Sequence, residues 1–290
     1  MVRLRQTYST WFIWLFALQP IALVAESAPY IFEHLTIEQG LSHNTVYAVL
    51  QDRFGMMWFA THNGLNKYDG YGFKVFNTSS KTDPAFEGRI ITTLLEDRNG
   101  HIWVGTQNRG VNILDLNSGK FKASRKHPQL SALSDTWITR LFEDQKGWVW
   151  ITTIGKGIFA YDPNEKVLHA FNRANKKLET DHAFDLTQDT KGQIWAVTDQ
   201  THLSRFNTGT KRFTPVTIGY PNRLDLLGYR KVIRAHKDGT LWIGTDRQGL
   251  FKFRPATGAL EHYPLDDNGI SYNEVRDIDF TKDKTILVVT

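Results

Sequence analysis

DRNGHIWVGTQNRGVNILD, residues 97–115, admits two readings. Its Asp-x-Asn-Gly start is how a calcium loop can begin, but an EF-hand loop needs about twelve residues and a distal Glu. Here a Trp-bearing apolar run follows at once. The rest of the chain decides between the two. VYAVLQDRFGMMWFATHNGLNKYDG (46–70) and ITRLFEDQKGWVWITTIGKGIFAYD (138–162) are copies of the same text. Looser copies are AFDLTQDTKGQIWAVTDQTHLSRFN (183–207) and YRKVIRAHKDGTLWIGTDRQGLFKF (229–253), and RDIDFTKDKTILVVT (276–290) begins a sixth. Trp58, Trp103, Trp150, Trp195 and Trp242 stand 45, 47, 45 and 47 residues apart, with Leu287 in the sixth copy. A feature that recurs at fixed spacing is architecture before it is chemistry.

Each copy reads as four short strands. A β-branched and apolar run such as 46–50 leads into a turn ending in Gly55, Gly100, Gly147, Gly192 or Gly239. Glycine there admits φ > 0 in a short hairpin, and the preceding Asp can hold the turn backbone. The Trp strand, a third strand such as 65–68 and a more polar fourth such as 73–77 follow. No long 3.6-residue periodicity and no convincing capping box appear. Four strands per ~45 residues is the signature of a propeller blade. Solenoid repeats are usually shorter. The expected fold is therefore an all-β propeller, with blades at about 40–77, 88–124, 135–173, 180–216 and 227–265 and a partial one at 273–290. A ring must close to remove its edges. Seven blades are expected, needing residues beyond 290, with YIFEHLT (30–36) as the outer strand of the last.

Composition bounds the rest. At 41% hydrophobic and 22% charged, 290 residues can bury a sizeable core. The net charge of +5 comes from scattered basic residues, not a stripe, so nucleic acid is not an expected partner. There is no cysteine, which rules out disulfides, thiol catalysis and Cys-zinc sites. Arg3 and Arg5, the apolar run 11–24 and the small residues of VAESA have the layout of a secretory signal peptide, with cleavage expected near 25–28. The run is short for a spanning helix, which needs ~20 residues, and Pro20 interrupts it.

GLSHNTVYAVLQDRFGMMWFATHNGLNKYDGYGFKVF (40–76) closely resembles the two-component regulator propeller repeat, as does LLEDRNGHIWVGTQNRGVNILDLNSGKF (94–121). The third copy agrees well. The fourth departs, with His202 in place of the glycine found at Gly110, Gly157 and Gly249, and the fifth has His236 in place of the turn Asp. The resemblance implies the periplasmic sensor part of a bacterial membrane receptor, tethered by a helix outside this segment and working as a homodimer. It implies a histidine kinase or diguanylate cyclase output, and a small-molecule or oligosaccharide ligand. No kinase motif or nucleotide-binding glycine loop is present in this chain, so no catalytic residue is assigned to it.

Recognition is expected where the copies differ, in loops sharing one face of the propeller. Connections leading to each first strand place His43, Asn44, Arg89, Trp137, His182, Tyr229 and Arg230 there. Loops between second and third strands place His62, Asn63, Gln107, Arg109, Lys156 and Arg247. Polar groups interspersed with Trp and Tyr suit sugars, and the arginines suit anionic or peptide ligands. The ten histidines show no HExxH or close pair, so neither a metal nor a cofactor is expected. A secreted lyase-type propeller would need His43, His62 and His182 to converge on a divalent metal. A pure protein-interaction platform is the third alternative.

Overall fold

The structure, a computed structural model, describes residues 34–78, 85–199, 203–216, 231–264, 274–281 and 285–290. The chain divides after His34, and every described strand lies in the unit Leu35–Thr290. The expected signal peptide lies outside the described residues, as do 30–33 of the expected closing strand. His34–Thr36 are described and are not strand. Thr36 instead caps a short 3-10 helix, Ile37–Gln39, with a capping box completed by Gln39. Reading for a capping box missed it because no apolar helical run follows.

The described strands form five four-stranded antiparallel meanders and a hairpin. Sheet one is β1 (Val46–Gln51), β2 (Met57–Thr61), β3 (Gly64–Tyr68) and β4 (Phe73–Phe76). Sheet two is β5 (Ile91–Glu96), β6 (His101–Thr106), β7 (Val111–Asp115) and β8 (Lys120–Ala123). Sheet three is β9 (Trp137–Glu143), β10 (Val149–Ile154), β11 (Ile158–Asp162) and β12 (Val167–Phe171). Sheet four is β13 (Ala183–Gln188), β14 (Ile194–Thr198), β15 (Leu203–Asn207) and β16 (Arg212–Val216). Sheet five is β17 (Lys231–Ala235), β18 (Leu241–Thr245), β19 (Leu250–Arg254) and β20 (Ala259–Tyr263), and the hairpin is β21 (Asp277–Phe280) with β22 (Ile286–Val289). Each sheet's first strand packs beside the first strand of the next, from β1 through β21, as at the hub of a propeller.

The first turn of each sheet explains the recurring text. Asp97 Oδ1 accepts the Asn99 and His101 N–H groups, while Oδ2 accepts Trp103 Nε1 at 2.9 Å. Asp52, Asp144 and Asp189 hold Trp58, Trp150 and Trp195 in the same way, at 2.8–2.9 Å. Gly100, at φ +85°, closes the turn in a conformation that disfavours a side chain. The apparent calcium loop is thus a hairpin whose carboxylate is already occupied.

The clasped tryptophans fill the seams between sheets. Trp58 packs with Phe76, Phe86, Ile91 and Phe121. Trp103 meets Ile138 and Ile151, Trp150 meets Ile194 and Phe206, and Trp195 meets Ile233 and Phe253. Truncating such a buried aromatic costs about 3–5 kcal/mol. Apolar exposure concentrates at the two ends of the stack. Val49 of β1 is 53% exposed, as is Val289 of β22.

A β-bulge recurs in the hub strands. The register with the second strand skips one residue at Tyr47, Thr92, Thr139 and Phe184. Strand β17 pairs with β18 without a skip.

Candidate functional site

The second-to-third-strand loops and the connections into the first strands meet on one rim. In sheet one, Thr61 Oγ1 donates to Gly64 O and accepts Asn63 N–H, which fixes the loop carrying His62 and Asn63. Buried Asn66 ties the preceding connection to that loop, since Asn66 Oδ1 accepts Ser42 N–H at 2.8 Å and its Nδ2 donates to Ser42 Oγ. His43 and His62 are thereby set side by side, with ring centroids 5.2 Å apart. His43 Nδ1 accepts Thr45 N–H, and the Tyr47 hydroxyl lies 3.0 Å from His62 Nδ1. The Nε2 atoms of both histidines take no partner among the described residues. Arg89 reaches in from the second sheet and donates to Asn63 Oδ1 at 3.1 Å.

The other sequence-selected residues divide by use. Asn44 is structural, its Oδ1 accepting the Ile37 N–H at the 3-10 helix. Lys156 Nζ is consumed by the Ala132 and Ser134 carbonyls, at 2.9 Å each. Arg109 pairs with Asp135 at 3.1 Å, and Arg125 bridges Asp135 to Glu87. Gln107 is half-buried, its backbone N–H held by Ile90 O. Trp137 starts β9 and is 37% exposed. His182 sits at the start of sheet four, bridged to Ile154, so the structure does not gather it with the tilted His43–His62 pair in sheet one. Arg247 is exposed. Tyr229 and Arg230 lie outside the described residues. No group of three His, Asp or Glu side chains suited to a metal occurs among the described residues.

Two features escaped sequence reading. Lys231, the first residue of β17, is buried, and its Nζ donates to Thr198 O at 2.6 Å while lying over the Phe184 ring. Burial pushes its ammonium down to about 8, against the opposing pull of Asp199 and Asp246. The hub strands also carry a chain of alternating charge. Buried Asp185 lies 3.4 Å from Arg140 Nε and 2.5 Å from Arg234 Nη1, and Arg234 Nη2 reaches Asp277 at 2.6 Å. The available signal was positional, because Arg140 and Asp185 both lie four residues before the turn Asp, where earlier copies have Ala48 and Thr93.

The rim therefore offers a hydrogen-bonding edge of imidazole, amide and guanidinium groups around His62, with an exposed indole on the third sheet. Groups of this kind suit polar ligands.

Comparison with known proteins agrees with this architecture. Residues 40–63 and 86–108 match the model described as "Two component regulator propeller". These two segments, in the first two sheets, are similar to that repeat. A histidine kinase of Formosa agariphila is 37% identical over 65 residues, which cover 22% of this chain and 5% of that protein. Among solved structures, the extracellular domain of a hybrid two component system from B. thetaiotaomicron has a TM-score of 0.53 at 24% identity. The match covers 90% of this chain and 40% of that one. The extracellular domain of a one component system from the same organism has a TM-score of 0.60 at 19% identity, over 84% of this chain and 32% of that one. The fold is that of these propeller-like extracellular domains. The chain spans well under half the length of each relative. Among the described residues, no helix is long and apolar enough to cross a membrane.

Proposed function

We propose that this chain is the exported ligand-sensing propeller of a bacterial signal-transduction receptor, with its rim as the recognition surface. The observation that carries the reading is the His43–His62 pair with Asn63 and Arg89, on loops fixed by the part-buried Ser42–Asn66 bonds and the buried Thr61–Gly64 bond, with both Nε2 atoms unpartnered among the described residues. Repeating residues build the sheets, and these non-repeating ones are presented at their ends. Such an edge suits hydroxyl-rich ligands such as oligosaccharides, and the Trp137 indole can stack on a sugar's apolar face. Binding would favour one arrangement of a periplasmic receptor dimer and so bias a kinase or cyclase output across the membrane.

The test is an oligosaccharide screen by calorimetry on the complete protein, followed by His62→Ala and Arg89→Ala. Each variant should weaken the hit by roughly tenfold, the scale of one lost polar contact to a charged or buried group. A screen without a hit, or a hit indifferent to both variants, would remove the rim from consideration.

A further inference from the structure

The opposite rim, where the Asp turns lie, holds a groove that recognition at the loop rim leaves unused. It runs between sheets three and four and has a volume of about 620 Å³. This falls within the size range of small-molecule sites, roughly 300–1,000 Å³.

The wall on the third sheet is an aromatic platform. The Trp148 indole lies on the His169 imidazole with centroids 5.1 Å apart and planes 14° from parallel. Both rings are half-buried. Trp148 is not a repeat residue, and the sister positions are Met56, His101, Gln193 and Thr240. In sheet two the sister His101 turns back onto Asp97 at 3.0 Å. In sheet three Asp144 Oδ2 is taken by Trp150 Nε1, and the second indole remains in the groove.

The groove is also one-sided in charge. Lys146, Lys177, Lys191, Arg205 and Lys211 line it, and none makes an ion pair among the described residues. Its two acids, Asp144 and Asp189, are buried and spent on turn N–H groups and tryptophans. A smaller groove of about 340 Å³ between sheets two and three has lysines too but no such platform. Five cations with no ion pair among the described residues, set around a flat aromatic surface, are complementary to a ligand that is both anionic and flat.

We propose that this groove is a second ligand site, specific for a small ligand carrying a carboxylate or sulfate beside a flat apolar face. An acidic sugar and an aromatic acid both have this chemistry. The anion sits among the rim cations and the flat face lies on Trp148. The site is independent of the loop rim and does not require recognition there.

The experiment is calorimetric titration of the complete protein at about 50 mM salt, where screening of exposed charges is modest. Three probes are used: digalacturonate, its neutral dimethyl ester and 2-naphthoate. Saturable binding of either acid, with none of the ester, is the expected result, and the acid that binds identifies the source. Trp148→Ala and the pair Lys191→Glu with Lys211→Glu should each weaken binding by about tenfold or more. Trp148→Phe, which keeps a ring, should retain binding and guards against a folding defect in the alanine variant. His62→Ala on the other rim should leave it unchanged. The proposal is overturned by silence of both acids up to about 10 mM. Equal binding of the ester, or an affinity that follows His62 and ignores Trp148, overturns it as well.

Discussion

Asp144 does three things with two oxygens. It holds the N–H groups of Lys146 and Trp148 and the indole of Trp150, all while buried. Asp144→Asn would aim an amide N–H at an indole N–H. The expected loss is about 1–3 kcal/mol, the cost of leaving a buried donor unmade, read as a lower denaturation midpoint. Sheet five shows the same loss already in place. His236 occupies the Asp position, and both His236 Nε2 and Trp242 Nε1 are buried without a partner among the described residues. His236→Asp combined with Asp238→Asn, which removes the neighbouring carboxylate, should therefore raise stability by about 1 kcal/mol. A fall in midpoint would mean that the His236–Phe280 ring contact, at 4.8 Å, matters more than the clasp.

Between elements, the seams are closed by polar contacts that span more than forty residues of chain. The Arg53 backbone and guanidinium bind Glu96 and the Asp97 carbonyl. Arg98 repeats this on Glu143 and Asp144, and Gln145 N–H donates to Gln188. These pairs were legible in principle. Wherever Arg follows the turn Asp, Glu precedes that Asp in the next copy, and Gln145 is answered by Gln188. Reading each copy alone hid a rule that relates one copy to its successor. The Trp, Gly and Asp positions were plain because identical seams impose identical demands. The rim residues were not plain, because whether Asn44 or Lys156 meets a ligand or its own backbone depends on loop paths that no repeat dictates. The Arg98–Glu143 pair is half-exposed on the arginine side, so a double-mutant cycle should give a coupling below about 1 kcal/mol that shrinks with salt. Arg234→Met is expected to cost more, up to about 3–5 kcal/mol, because it strips a partner from buried Asp185. Equal effects in the two experiments would contradict the assignment of rim and hub.

Across the whole molecule, stability should carry the imprint of Lys231. Its ammonium is held near 8 in the fold against an ordinary 10.5. Between those values the unfolded chain binds more protons than the folded one, so folding stability gains as pH rises through the window. Below about 8 the cost of a buried charge is present in full. The free energy of unfolding relative to Lys231→Met should therefore climb between pH 8 and 10.5, as followed by denaturant titration. A flat difference would place the ammonium in water.

The hub bonds also have a direction. Thr92 donates forward to Ile138 O and Thr139 forward to Ala183 O, as Arg53 and Arg98 do at the turns. At the seam between sheets four and five the sense reverses. Lys231, Ile233 and Arg234 all donate backward, to Thr198 and Asp185. For a chain that emerges from the ribosome N-terminus first, the forward donors are hydroxyls and guanidiniums that wait comfortably in water for an acceptor not yet made. Asp185 is instead an anion awaiting a cation about fifty residues away, with Arg140 of the preceding sheet alone to keep it company. The order of synthesis thus gives the arginine on β9 a duty in time, as chaperone to a charge whose final partner is the last to arrive.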